Sequence, residues 1–182
     1  MSHIQLKMKR DYIDFQDRSK AKAYLITFRC YGTWLHGDER GSVDRRYYNR
    51  LGTPKIPPNS ETVERKARLM KDVSIILGSE DRAAVESAIR EVCSFRGYAL
   101  YAINVRTNHV HVVVSNSAIP ERMMDAFKAY TTRKLRSAKL VSDESKLWSR
   151  HGSTRYLWTD DHIAAAIDYV VNGQGGELPR FD

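Results

Sequence analysis

The sequence predicts a mixed α and β domain with at least one antiparallel hairpin. Three patterns carry that reading. Segments 23–31, 98–106 and 109–115 are dense in β-branched and aromatic residues and alternate in character, as half-buried strands do. The segments between and after them repeat apolar residues at three- and four-residue spacing, the period of a helix with one buried side. Only Thr107-Asn108 separates the second strand from the third, and so short a link turns the chain back antiparallel.

A charged stretch up to residue 21 reads as a basic N-terminal arm. Ala23 to Tyr31 is the first strand, with Tyr24, Ile26, Phe28 and Cys30 on one face and Leu25, Thr27 and Arg29 on the other. From Gly32 to about residue 60, glycines and prolines punctuate a long loop. It interleaves Trp34, His36, Arg40, Arg45, Arg46, Tyr47, Tyr48 and Arg50. Such residues stack bases and pair phosphates, and they equally suit a solvated loop packed by its own aromatics.

Ser60-Glu61-Thr62-Val63-Glu64 opens a helix reaching Lys71. Ser79-Glu80-Asp81 caps a second, with Val85, Ile89, Val92 and Cys93 inward and Gly97 ending it. After the hairpin, a third helix runs from about Pro120 to Ala138 around the stripe Met124, Phe127, Thr131 and Leu135. Ser149 to Trp158 is a further strand. Asp160 to Val171 is a capped helix with Ile163, Ile167, Val170 and Val171 inward, broken by glycines at 173–176. Residues 22–175 therefore read as one domain and 176–182 as a tail.

Charge narrows the function. Lys and Arg number 30 against 22 acidic residues, a net charge of +8, and an excess of that size favours a polyanionic partner, nucleic acid first. A hydrophobic share of 42% excludes global disorder. No apolar run is long enough to span a membrane. Cys30 and Cys93 have no metal-type spacing, so they read as reduced thiols of a cytoplasmic protein.

The chemistry concentrates in Asn108-His109-Val110-His111-Val112. In a strand, His109 and His111 share one face about 7 Å apart at their bases, so both rings can converge on one divalent cation. The alternative is a pair of half-buried sheet histidines satisfied by hydrogen bonds. Thr27 and Arg29, with Asn104 and Arg106, fall on the same face if the strands pair in phase, and a slip of one residue would turn a set over. Tyr130 sits at the edge of the third helix's apolar stripe among Lys128, Arg133, Lys134 and Arg136. Neighbouring cations favour a phenolate and attract phosphate, although an ordinary boundary tyrosine has the same pattern.

These stretches resemble a known family. Tyr24-Leu-Ile-Thr-Phe-Arg29 with Gly32-Thr-Trp-Leu35, Asn104-Val-Arg-Thr-Asn-His-Val-His111 and Phe127-Lys-Ala-Tyr-Thr-Thr-Arg133 are similar to the single-tyrosine transposases of insertion sequences. The closer resemblance is to the REP-associated tyrosine transposases of bacterial genomes, within the superfamily of nucleases named for a His-hydrophobic-His motif. Tyr156-Leu-Trp158 and Tyr169-Val-Val-Asn172-Gly-Gln174 look like the family's C-terminal part. The resemblance implies an α+β fold, a ferredoxin-like or RRM-like antiparallel sheet with helices packed on one face. It implies a homodimer, associated with the bacterial nucleoid, that cleaves and rejoins single-stranded DNA beside a hairpin. His109 and His111 would hold Mg²⁺ or Mn²⁺. Tyr130 would attack phosphorus to give a 5′-phosphotyrosine and a free 3′-hydroxyl. Arg29, Trp34, Arg40, Arg106, Lys128, Arg133 and Lys134 would bind the DNA.

One departure stands out. The family carries a metal-binding Gln or Asn one helical turn after its tyrosine, and one turn after Tyr130 stands Lys134, whose ammonium cannot ligate a cation. A third ligand would then come from elsewhere, with His36, Asp160, Asp161 and His162 as candidates. The alternative is a domesticated, catalytically weak protein that binds hairpin DNA or RNA without cleaving it.

Overall fold

The computed structural model describes residues 21–39, 57–115 and 117–173. The predicted arm before residue 21, Arg40 with loop residues 41–56, and the tail lie outside the described residues. The elements are β1 (Ala23–Cys30), α1 (Ser60–Arg68), α2 (Ser79–Arg96), β2 (Ala99–Val105), β3 (His109–Ser115), α3 (Pro120–Ser137), β4 (Trp148–Leu157) and α4 (Asp160–Asn172). The strands form one sheet in the order β2-β3-β1-β4, with every neighbouring pair antiparallel. β3 thus inserts between β1 and β2, the split β-α-β arrangement of ferredoxin-like domains. The predicted α+β class and the hairpin are both present.

Alternation along the strands builds two cores. Tyr24, Ile26, Phe28 and Cys30 of β1 and Val110, Val112 and Val114 of β3 join Val85, Ile89 and Val92 of α2 and Met123, Phe127 and Leu135 of α3. On the opposite face, Leu25, Ala102, Val113 and Leu157 meet Ile163, Ala166, Ile167 and Val170 of α4. The two long helices lie on one face, but α4 takes the other, which corrects the expectation of helices on one face only. The reason lies in β3. Its outward set is His109, His111, Val113 and Ser115, polar at one end and apolar beyond. The α4 stripe can dry only the apolar part, so the helix ends where the histidines begin.

Local signals fix the helix ends. Asn59 Oδ1 accepts from Thr62 N at 2.7 Å to open α1, and Thr159 Oγ1 accepts from His162 N at 3.2 Å to open α4. Pro120 leads α3. Gly97 closes α2 at φ 66°, a left-handed conformation that glycine adopts without a Cβ clash. At Gly152, an added Cβ would collide with the Met124 thioether and the Thr27 carbonyl, so β4 lies tight against β1 where β1 carries the site.

Candidate active site

The strand register assembles the site. β1 and β3 set Thr27 opposite His111 and Arg29 opposite His109, and β2 sets Asn104 opposite His111 from the other side. Opposed side chains on one face begin about 5 Å apart, so five polar groups share a small area. The two imidazole centroids are 4.7 Å apart and nearly perpendicular.

Each ring is held through the same nitrogen. His109 Nδ1 lies 2.6 Å from Asn108 Oδ1, and His111 Nδ1 lies 2.7 Å from Thr27 Oγ1. An amide oxygen only accepts, so His109 carries its proton on Nδ1 and its lone pair on Nε2. A hydroxyl can accept the same proton from His111. Holding the far nitrogen is how metal-binding histidines are oriented. Among the described residues, no group of three or more His, Cys, Asp and Glu side chains gathers around a possible metal. The remaining positions would fall to amide oxygens, water or phosphate, which suits a hard cation such as Mg²⁺ or Mn²⁺.

The aromatic partner of this pair is Tyr169. Its ring centroid is 5.5 Å from that of His111, and the residue is 47% exposed. Its helix is tied down beside it: Asn104 Nδ2 donates to Val170 O at 2.8 Å. One turn further on, Asn172 Nδ2 donates to Asp168 Oδ1 at 2.7 Å.

Tyr130 is not brought to the histidines. It sits on α3, packed against the first core on the opposite face of the sheet. The Arg133 guanidinium lies 4.4 Å and that of Arg96 5.8 Å from its ring centroid. Hydrogen bonds to Tyr98 and Tyr130 hold the Arg96 guanidinium above its ordinary pKa. The alternation that sends Val110, Val112 and Val114 toward α3 sends His109 and His111 away from it. This corrects the expected pairing of Tyr130 with the histidines.

The expected DNA-binding residues divide in the same way. Arg29 and Trp34 lie together beside His109, the guanidinium 3.5 Å from the indole centroid. Arg106 closes the hairpin, its backbone N–H donating to His109 O at 2.8 Å. Lys128, Arg133 and Lys134 all stand on α3, across the sheet. The Lys128 ammonium donates to the carbonyls of Ser149, Arg150 and His151 at 2.9, 3.5 and 3.4 Å. Burial lowers its pKa, so it braces β4 rather than reaching for DNA. Lys134 pairs with Glu91 at 2.8 Å. Among the candidate third ligands, Asp160 pairs with Lys22 at 2.9 Å, and His162 Nδ1 accepts from Trp158 N at 3.4 Å. Asp160, Asp161 and His162 all begin α4, about 10–14 Å along the helix from Tyr169. Arg40 is outside the described residues.

Sequence reasoning passed over Tyr169, though the signal was present. An aromatic residue flanks the last apolar position of a helix whose stripe stops short, and an Asn follows it by one turn.

A family model described as "Transposase IS200 like" matches residues 69–172, more than half of the chain. The chain belongs to the IS200-like transposase family. The match includes the histidine pair, Tyr130 and Tyr169 alike, so family membership does not choose between the tyrosines. Two solved structures are similar. One is a REP-associated tyrosine transposase bound to a REP hairpin, 12% identical with a TM-score of 0.44, over 83% of this chain and 65% of that one. The other is a protein assigned as a transposase from Deinococcus radiodurans R1, 15% identical with a TM-score of 0.43, over 86% of this chain and 93% of that one. The chain thus spans just under two thirds of the length of the first. No curated protein matches. Among the described residues, no helix of this transposase-family chain is long and apolar enough to cross a membrane.

Proposed function

We propose that the protein cleaves and rejoins single-stranded DNA at hairpin-bearing sites, with Tyr169 as nucleophile. The observation that carries this reading is the meeting of the Tyr169 ring with His111, itself in ring contact with His109. With Tyr169 in this role, the departure at Lys134 loses its force. Asn172 follows the tyrosine by three residues, where Lys134 follows Tyr130 by four, and so brings an amide within one residue of the place where the family resemblance expects a ligand. His109, His111 and the Asn172 amide oxygen would hold Mg²⁺ or Mn²⁺. A divalent cation held there polarises the phosphodiester and offsets the charge that develops on it.

The chain's own groups supply the rest. Thr27 and Asn108 orient the imidazoles. Asn104 holds the end of α4 so that the phenol stays beside them. Tyr169 attacks phosphorus, and the ester it forms with the 5′-phosphate stores the bond energy for rejoining without a nucleotide cofactor. A free phenol ionises near 10, so attack at neutral pH relies on nearby positive charge. The reading includes a homodimer, as the family resemblance implies.

The test is adduct formation. Wild-type protein, Mn²⁺ and a panel of hairpin-bearing single-stranded oligonucleotides should give a protein–DNA adduct that survives SDS. Tyr169→Phe should abolish it, and Tyr130→Phe should retain it within a few-fold. An adduct that persists in Tyr169→Phe and vanishes in Tyr130→Phe would return the nucleophile to α3. Salt-dependent binding without any adduct, indifferent to EDTA and to His111→Ala, would favour the binding module instead.

A further inference from the structure

The His109 end of the site carries a second built feature. Arg29 stands opposite His109 in the β1–β3 register, and its guanidinium lies 3.5 Å from the Trp34 ring centroid. That is the spacing of a flat stack, which fixes the plane of the guanidinium. The turn bearing Trp34 is anchored in its turn. Gly32 bends the chain at φ 73°, and Thr33 Oγ1 lies 3.0 Å from Cys30 O and 3.4 Å from Asn108 O. Asn108 is the residue that orients the His109 ring. Arg29, Trp34, Asn108 and His109 therefore form one connected unit. At the other end, His111 meets Tyr169. The imidazole pair is flanked by a phenol on one side and a guanidinium on the other.

Displacement at phosphorus places the attacking and leaving oxygens roughly in line, on opposite sides of the phosphorus. With Tyr169 attacking from the His111 end, the leaving oxygen faces the His109 end. We propose that Arg29 stabilises the departing 3′-oxygen and that Trp34 is the positioning residue that holds its guanidinium there. This rests on the assignment of Tyr169 as nucleophile. In the step, the Tyr169 Oη–P bond forms and the P–O3′ bond breaks. The phenolic proton passes to solvent, and the 3′-oxygen takes a proton from water. Arg29 remains protonated throughout, as guanidinium groups do, and contributes charge and hydrogen bonds rather than a proton. On rejoining, the same contact orients the incoming 3′-hydroxyl.

The experiment compares two oligonucleotides that differ in one atom, the ordinary 3′-oxygen and a bridging 3′-sulfur at the scissile linkage. Thiolate leaves readily and needs little help. Single-turnover adduct formation by Arg29→Gln should be slowed about 100-fold on the oxygen substrate, the loss typical of one transition-state donor. On the sulfur substrate its deficit relative to wild type should shrink below about 5-fold. Arg29→Lys keeps the charge without the planar fork and should show the same pattern, which preserves the test if the glutamine variant folds poorly. Trp34→Phe should lose roughly 3- to 10-fold on oxygen and be relieved by sulfur as well. An Arg29 deficit equal on both substrates, or none on oxygen, overturns the assignment while leaving Tyr169 standing. Failure of the wild type to form an adduct on either substrate removes the nuclease reading and this inference with it.

Discussion

The contact between Thr27 and His111 allows a sharp separation of structural from metal-binding roles. His111 is 5% exposed, and its Nδ1 has the Thr27 hydroxyl 2.7 Å away. Thr27→Val replaces that hydroxyl with a methyl group at nearly constant volume. Removing one partner of a buried polar group costs about 1–3 kcal/mol. For a domain of this size, each kcal/mol moves the melting temperature by about 2–4 °C, so the metal-free variant should melt about 2–12 °C lower. The ring also loses the group that fixes its orientation and tautomer, a loss that typically lowers metal affinity 10- to 100-fold. Thr27→Ser keeps the hydroxyl and drops only a methyl. It should melt slightly lower while binding Mn²⁺ as the wild type does. Calorimetric titration with Mn²⁺, beside thermal melts without metal, reads both effects. Mn²⁺ affinity in Thr27→Val within two-fold of wild type would refute the view that this hydroxyl prepares His111 for a cation.

Other expectations follow from particular contacts. Asn104→Ala removes the 2.8 Å bond to Val170 O, loosening the turn that bears Tyr169. Adduct formation should fall about 10-fold or more, with Mn²⁺ affinity little changed, as stopped-flow and titration would show. Lys128→Met strips three carbonyls of their donor and should cost about 2–3 kcal/mol in urea unfolding without weakening oligonucleotide binding. Burial pushes the Cys30 thiol up to about 12 and the Cys93 thiol up to about 11. Above about pH 9 the unfolded thiols ionise while the native ones stay protonated, so the native state binds more protons and stability falls with rising pH. Each thiol adds at most about 1.4 kcal/mol per pH unit to that alkaline decline, and the decline should be shallower in Cys30→Ala/Cys93→Ala.

Legibility from sequence followed the locality of the signal. Strand phase was readable because one parity of β1, Tyr24, Ile26, Phe28 and Cys30, is apolar along its whole length, whereas the other turns polar at Thr27 and Arg29, which sends those two to the histidine side. The hairpin was readable because two residues leave the chain no other path. Which helix reaches the histidines was not readable, because it depends on the face each helix covers. Both α3 and α4 carry an apolar stripe, and both have a tyrosine near its edge. Cations around Tyr130 made it look activated. Those cations instead serve α3's own surroundings: Lys134 holds Glu91, Lys128 holds β4, and Arg133 lies over the Tyr130 ring.

The parity of β3 contains the missing step. Val110, Val112 and Val114 are buried under α2 and α3, so residues of the other parity must face away from those helices. A tyrosine that serves His109 and His111 therefore has to arrive on whatever covers the opposite face. Among the described residues after β4, the helical apolar stripe is that of 160–172; its last inward residue is Val170, which meets the sheet beside Val113, while Val171, expected inward, is 58% exposed. Two residues along β3 from Val113 is His111, and next to Val170 is Tyr169. Tyr169 and the two imidazoles are thus brought together by the point at which two apolar patterns, one of period two and one of period 3.6, stop together.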